Sequence, residues 1–268
     1  MRVKILLPMS IILLGLGSCK RIETENTPTP TAPTLAQQAK EYADAHPAIQ
    51  PPALVNYQPT SVKVSIGSFS VGTYNFQYDS QKRLVDISHD KNSVFNTYLE
   101  PTNSKATSKW NTREINYRLN PQGLAQSSEG MFMNGKEAAV EYFYKNGYLV
   151  SSADKNYLSK LTYKTNGDLQ EWNGLSHLGE TIRASYTYTT FPNTIQQEIN
   201  YWAAPHFALR GDFLGKYSSH LVEKVTFQNA ALNNITLDFS YSFDSQNRVT
   251  KVVIKRSLGD EAIYEYSY

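Results

Sequence analysis

The sequence predicts an all-β fold, a many-stranded antiparallel meander closed or rolled into a barrel-like sheet, with one short N-terminal helix. Three observations predict it. Aromatic residues alternate with polar ones at period two, compact turn signals follow, and the two combine in recurring units. The clearest copies are Tyr74-Asn75-Phe76-Gln77-Tyr78-Asp79-Ser80-Gln81-Lys82-Arg83-Leu84 and Phe239-Ser240-Tyr241-Ser242-Phe243-Asp244-Ser245-Gln246-Asn247-Arg248-Val249. Weaker copies turn at Asn120-Pro121-Gln122-Gly123, Lys145-Asn146-Gly147 and Thr165-Asn166-Gly167-Asp168, and another runs Tyr186-Thr187-Tyr188 into Pro192-Asn193.

The chain opens on a different kind of signal. Residues 1–18 read as a signal peptide: a basic Met1-Arg2-Val3-Lys4, an apolar run from Ile5 to Leu16, then Gly17-Ser18 before Cys19. The run is shorter than the roughly 20 residues a membrane-spanning helix needs, and small residues suit a peptidase groove. Cys19 is the only cysteine, so it has no disulfide partner within the chain. Its thiol is the nucleophile that diacylglyceryl transfer requires, and two or more acyl chains hold a protein stably on a membrane. Residues 19–33 include the polar, Thr/Pro-alternating stretch Lys20 to Pro33, which favours extended chain and reads as a tether. Residues 34–47 follow as a short helix, because Thr34-Leu35-Ala36-Gln37 has the form of a capping box and Pro47 ends the run.

The β domain is expected over residues 55–268. About a dozen or more short strands are counted by period-two alternation, with Leu237, Phe239, Tyr241 and Phe243 on one face and Asp238, Ser240 and Ser242 on the other. A single sheet of that length leaves two unpaired edges and tends to curl shut. Nineteen Tyr and eleven Phe are wide fillers for the resulting lumen, which the Leu35 to Ala45 helix is positioned to plug or cap. A barrel facing lipid needs an outward apolar band. Here the apolar face is aromatic with few aliphatic runs, which predicts a barrel outside the lipid.

The last third of the chain resembles a known family. His206-Phe207-Ala208-Leu209-Arg210-Gly211, Phe213-Leu214-Gly215-Lys216-Tyr217, His220-Leu221 and Tyr241 to Val252 are similar to Bacteroidota lipoproteins classed as a domain of unknown function with a porin-like fold. Phe191-Pro192-Asn193-Thr194 and Tyr201-Trp202 share that likeness, and the aromatic-x-aromatic-Asp turn also resembles the repeats of YD-type shell proteins. The resemblance implies a rolled sheet or barrel and carries over no catalytic residue.

Charge and motif content narrow the function. The 26 Lys and Arg against 24 Asp and Glu become 24 against 24 once Arg2 and Lys4 leave with the leader. A nucleic-acid binder needs a basic excess to neutralise phosphate, so that partner class is not expected. Gly211 to Tyr217 has three residues between its glycines and Tyr217 after Lys216, which fails the phosphate-loop pattern. His46, His89, His177, His206 and His220 show no metal-ligand spacing, no cofactor motif is present, and no nucleophile elbow appears. His206 and His220 flank one connection, with Asp212 as the nearest acid. Glu171, Glu180 and Glu198 are further carboxylates whose pairing depends on distance in space. Trp110, Trp172 and Trp202 are candidate stacking platforms for a glycan or a protein partner.

These observations predict a lipid-anchored cell-envelope protein with a non-catalytic binding or structural β domain. Its membrane partner is reached through the lipid on Cys19, and a glycan, an apolar ligand or another envelope protein is the expected second partner. Lys20 and Arg21 directly after Cys19 favour the periplasmic side of the outer membrane over the surface. Two alternatives remain in view: a carrier of an apolar molecule in the lumen, and a carboxylate-based hydrolase acting on glycans around residues 206–220.

Overall fold

The computed structural model describes residues 32–53, 57–80, 82–90, 96–100, 105–110, 113–131, 137–175, 181–195, 212–229 and 234–268. Helix α1 (Leu35–Ala45) begins at Thr34, whose side chain accepts from the Gln37 N–H while the Gln37 side chain reaches back to the Thr34 N–H. The capping box read from the sequence thus forms. Sixteen strands follow among the described residues: β1 (Ser61–Ile66), β2 (Phe69–Tyr78), β3 (Leu84–His89), β4 (Asn96–Glu100), β5 (Lys105–Trp110), β6 (Arg113–Leu119), β7 (Ala125–Met131), β8 (Glu137–Lys145), β9 (Tyr148–Ala153), β10 (Leu158–Tyr163), β11 (Leu169–Leu175), β12 (Thr181–Pro192), β13 (His220–Asn229), β14 (Ile235–Phe243), β15 (Val249–Arg256) and β16 (Glu261–Ser267). Each pairs antiparallel with the next in sequence, and β1 also pairs with β16, so the ladder returns on itself as a barrel. The narrowest seam is β3 against β4, where only Asp86↔Tyr98 and Ile87↔Thr97 are in register.

Period-two alternation sorts the two faces of this barrel. Val64, Tyr264 and Val252 lie in one cross-strand row and are buried, and Tyr74, Val62 and Tyr266 form another. The outward rows alternate in charge: Lys63 opposite Glu265 opposite Lys251, and Glu261 opposite Lys255 opposite Asp238 opposite Lys224. Opposite charges facing across strands stabilise a sheet by a few tenths of a kcal/mol up to about 1 kcal/mol per pair. A lipid-embedded barrel shows the reverse polarity, apolar outside and polar within.

One turn module builds four hairpins at one end of the barrel. In Asp79–Arg83, Asn120–Leu124, Lys164–Asp168 and Asp244–Arg248 the first residue exchanges backbone hydrogen bonds with the fourth and fifth. The fourth is left-handed in every case: Lys82 (φ 63°), Gly123 (φ 77°), Gly167 (φ 88°) and Asn247 (φ 58°). A register shift precedes each turn on the incoming strand, as expected of a bulged hairpin. Asp79 and Asp244 also accept from the backbone N–H and Nε of Arg83 and Arg248. Lys82 pays the steric cost of the left-handed conformation that glycine avoids. Lys82→Gly is therefore expected to stabilise the protein by about 0.5–1 kcal/mol in urea unfolding, and a destabilised variant would show that the Lys82 side chain holds the turn.

The same end is stapled by tyrosines. Tyr78, Tyr188, Tyr241 and Tyr268 each donate a phenolic hydrogen bond, of 2.6–3.1 Å, to the carbonyl 19 residues upstream, those of Pro59, Leu169, Val222 and Val249. Nineteen residues is one hairpin length here. Each phenol therefore ties its strand to the start of the neighbouring one.

Two chain segments cover this end. The first runs from α1 to β1: Ile49 N–H donates to Asn146 Oδ1, Gln50 N–H to the Thr165 carbonyl, and Tyr57 N–H to the Thr194 carbonyl. The second is residues 212–219 of the β12–β13 connection, whose single 3-10 turn Asp212–Leu214 places Phe213 against Tyr117, ring centroids 4.8 Å apart. Gly215 (φ 98°) passes so close to β9 that a Cβ there would lie 2.8 Å from the Gly147 carbonyl. Glycine is required by that crossing. Helix α1 does not enter the lumen. It packs on the outer face of β9 and β10, where the Ser151 hydroxyl donates to the Ala39 carbonyl at 2.6 Å and Tyr42 Oη lies 2.9 Å from Thr162 Oγ1. Buried Ala39 and Ala43 let the helix approach closely, and the polar outward residues of the sheet supply its partners. Capping falls instead to the α1–β1 segment and residues 212–219.

Candidate functional site

The capped end holds a dense buried polar network. Asp168 closes the β10–β11 turn and is 3% exposed. Its carboxylate accepts from His220 N–H (3.0 Å) and Asn166 Nδ2 (2.8 Å), and His220 Nδ1 lies 3.0 and 3.1 Å from its two oxygens. An ionised carboxylate only accepts, so this contact assigns the ring proton to Nδ1. Ser218 Oγ accepts from Leu169 N–H and meets Tyr188 Oη, while Ser219 Oγ donates to the Asn166 carbonyl at 2.6 Å. Asn193 Nδ2 donates to the Ser218 carbonyl.

A carboxylate orienting an imidazole is half of a hydrolytic triad, and the other half is a hydroxyl on the free ring nitrogen. Both neighbouring serines are committed elsewhere. Their bonds fix the β12–β13 connection to the β10–β11 turn, so the pair reads as a clamp. The acid beside His220 is Asp168, not Asp212. Asp212 opens the 3-10 turn and its side chain lies outside the described residues, as do His206 and Trp202 altogether.

The inward wall of β7 to β11 has a different character. Trp172 faces the lumen with Leu161 and Ala184, its partners in register. Its Nε1–H donates to Ser159 Oγ at 2.7 Å. A Cβ built on Gly174 would lie 2.6 Å from Cε2 and Cζ2 of the indole, so the ring lies along the strand over a residue with no side chain. Ser159 faces Ser152 across the ladder, Ser152 faces Tyr142, and Tyr142 Oη lies 2.8 Å from Ser128 Oγ. Burial drives the Tyr142 phenol well above the ordinary tyrosine range, the nearby Tyr117 adds to the rise, and the Ser128 hydrogen bond opposes it. Trp172, Ser152 and Ser159 are half-buried, where most inward residues elsewhere are fully buried. This stretch of the interior is therefore lined by an indole, small side chains and hydroxyls.

Of the other sequence candidates, Trp110 ends β5 but its side chain lies outside the described residues, and so does Cys19. Glu171 sits on the outer face, held below the ordinary carboxylate range by the Asn173 hydrogen bond and the Arg183 ion pair. Glu180 and Glu198 lie outside the described residues. Sequence reasoning missed Asp168, Ser128, Ser152, Ser159 and Tyr142. The Trp172-x-Gly174 spacing was the available signal, since residues two apart on a strand share a face.

No protein-family model and no curated protein matches the sequence. Solved structures do. A porin-like protein from Bacteroides uniformis superposes with a TM-score of 0.59 at 13% identity, covering 80% of this chain and 99% of its own. A second, from Bacteroides vulgatus, gives 0.53 at 13% identity, covering 78% of this chain and 98% of its own. The fold is porin-like. In this porin-like chain the described outward face is polar and charged and the described interior is largely apolar, with Phe69, Phe191 and Leu258 as the large exposed apolar residues.

Proposed function

We propose that this chain is a cell-envelope lipoprotein, acylated at Cys19, whose porin-like barrel stands clear of the lipid as a non-catalytic binding domain. The observation that carries the reading is the polarity of the sheet: an outward face crossed by charged rows, Lys63-Glu265-Lys251 and Glu261-Lys255-Asp238-Lys224, supports a barrel held outside the bilayer. Membrane attachment then falls to the acylated N-terminus, with residues 20–33 as the spacer. Lys20 and Arg21 favour the periplasmic leaflet of the outer membrane. Committed hydroxyls at the Asp168–His220 pair argue for binding over hydrolysis, and the wall around Trp172 is the face that supports a ligand. The described interior at the capped end is filled by Tyr, Phe and aliphatic side chains, which argues against a lumen-sized apolar cargo.

The test is fractionation of the full-length chain expressed in a Gram-negative host with labelled palmitate. Wild type is expected in the membrane fraction, labelled and resistant to high-salt washing. Cys19→Ala is expected unlabelled and free of that anchor. Equal salt-resistant membrane retention of both, with the leader removed from each, would end the anchoring reading.

A further inference from the structure

We infer that Trp172 is a stacking platform for one ring of a neutral, equatorially hydroxylated glycan, a deepening that rests on the reading of the barrel as a binding domain. Four observations converge on that ligand class. The indole lies along the strand over Gly174, so one of its faces is backed by backbone, and the residue is half-buried on the inward side of the sheet. Its N–H is held on Ser159 Oγ at 2.7 Å, which fixes the ring before any ligand arrives. Its direct cross-strand partners are Leu161 and Ala184, and beside Ser159 the inward row runs on through Ser152 towards Tyr142 and Ser128, hydroxyl-bearing side chains that both donate and accept. None of these inward residues carries a charge.

A ligand matched to this wall has a flat apolar face for the indole and hydroxyls at its edge for the serines. A pyranose with equatorial hydroxyls has that division: its C–H bonds point axially from the ring faces and its oxygens lie around the rim. An alkyl chain would offer no hydrogen bond to the Ser152 hydroxyl or to the O–H of Ser159, which costs free energy when they are desolvated. An anionic sugar would find no cation among the described inward residues of the wall.

The experiment uses the full-length mature chain in detergent, titrated with cellotetraose and with the β-1,4-linked tetramer of N-acetylglucosamine, maltotetraose serving as the α-linked comparison. Trp110→Phe/Trp202→Phe leaves Trp172 as the sole indole, and its emission is expected to shift on addition of a β-linked tetramer. Calorimetry on the unmodified chain gives the affinity. Trp172→Ala is expected to weaken binding about thirtyfold or more, the loss typical of a central aromatic anchor. Ser152→Leu, which fills the wall and leaves the indole in place, gives a second route to the same loss should Trp172→Ala fail to fold.

No heat and no emission change with any of the neutral tetramers would overturn the inference. So would binding that is unaltered in both variants, although a binding domain would then survive with its site elsewhere. Quenching of Trp172 by an alkyl glycoside tail but not by the free tetramers would likewise overturn the sugar assignment. The Cys19 fractionation is independent of all three results, so a failure here leaves the anchoring reading standing.

Discussion

Asp168→Ala is expected to lower the stability of the barrel by about 3 kcal/mol or more, the range for removing one partner of a buried, hydrogen-bonded charge. The carboxylate accepts from the His220 backbone, the His220 ring and Asn166, and truncation leaves these donors without an acceptor in a site where Ser218 and Ser219 are fully buried. Against a typical total of about 5–15 kcal/mol this is a large share. His220→Ala should cost less, because Asp168 keeps its two other donors. Urea unfolding gives the magnitudes. Hydrogen exchange gives the location: the Leu169 N–H bonded to Ser218 Oγ and the Lys216 N–H bonded to the Gly147 carbonyl should lose protection first. If Asp168→Ala cost under about 1 kcal/mol with those amides still protected, the pair would not be the clamp of the β12–β13 connection.

How much of this was legible beforehand follows the range of each interaction. The turns were readable because their logic is local: Asp79 bonds Arg83 and Asp244 bonds Arg248 within five residues, and the left-handed fourth position favours Gly or Asn. The start of α1 was readable from the Thr34 and Gln37 pair for the same reason. That the sheet would close or roll up followed from strand number and one-sided burial, and the β1–β16 pairing decides for closure. The clamp was not readable, since Asp168 and His220 are 52 residues apart and only the ladder brings them together. Proximity in sequence pointed to Asp212 instead. The seat of α1 was also hidden. A helix whose buried face is chiefly Ala39 and Ala43 carries too little apolar surface to declare its partner, and the decisive contacts come from Ser151 and Thr162, polar residues that alternation assigns to solvent.

Alkaline unfolding should be abrupt and should begin before the interior phenols reach their own folded-state ionisation. Burial raises Tyr74 and Tyr268 to about 12, with the charges of Asp90 and of Asp244 and Tyr57 adding respectively and Arg248 opposing at Tyr268. Tyr241 and Tyr264 are raised further, and Tyr142 and Tyr266 lie well above the ordinary tyrosine value, in each case chiefly by burial. The sign follows from linkage. Below about pH 10 both folded and unfolded chains keep these protons, and the stability is intact. Above it the unfolded chain loses protons that the folded chain retains, so stability falls by up to about 1.4 kcal/mol per phenol per pH unit until the folded values are reached. Several such phenols acting together would remove a large share of a domain's whole stability within about one pH unit above pH 10. Two of them, Tyr241 and Tyr268, also donate the staples to Val222 and Val249, and a phenolate cannot donate. Absorbance at about 295 nm should therefore show the more accessible of the 19 tyrosines ionising first. The buried set should then appear in one cooperative step together with loss of the β-sheet circular dichroism. Tyr266→Phe should make that step shallower by removing one linked proton. A smooth titration of all phenols around their ordinary value, with the circular dichroism unchanged, would mean that the barrel interior is wet where the structure packs it.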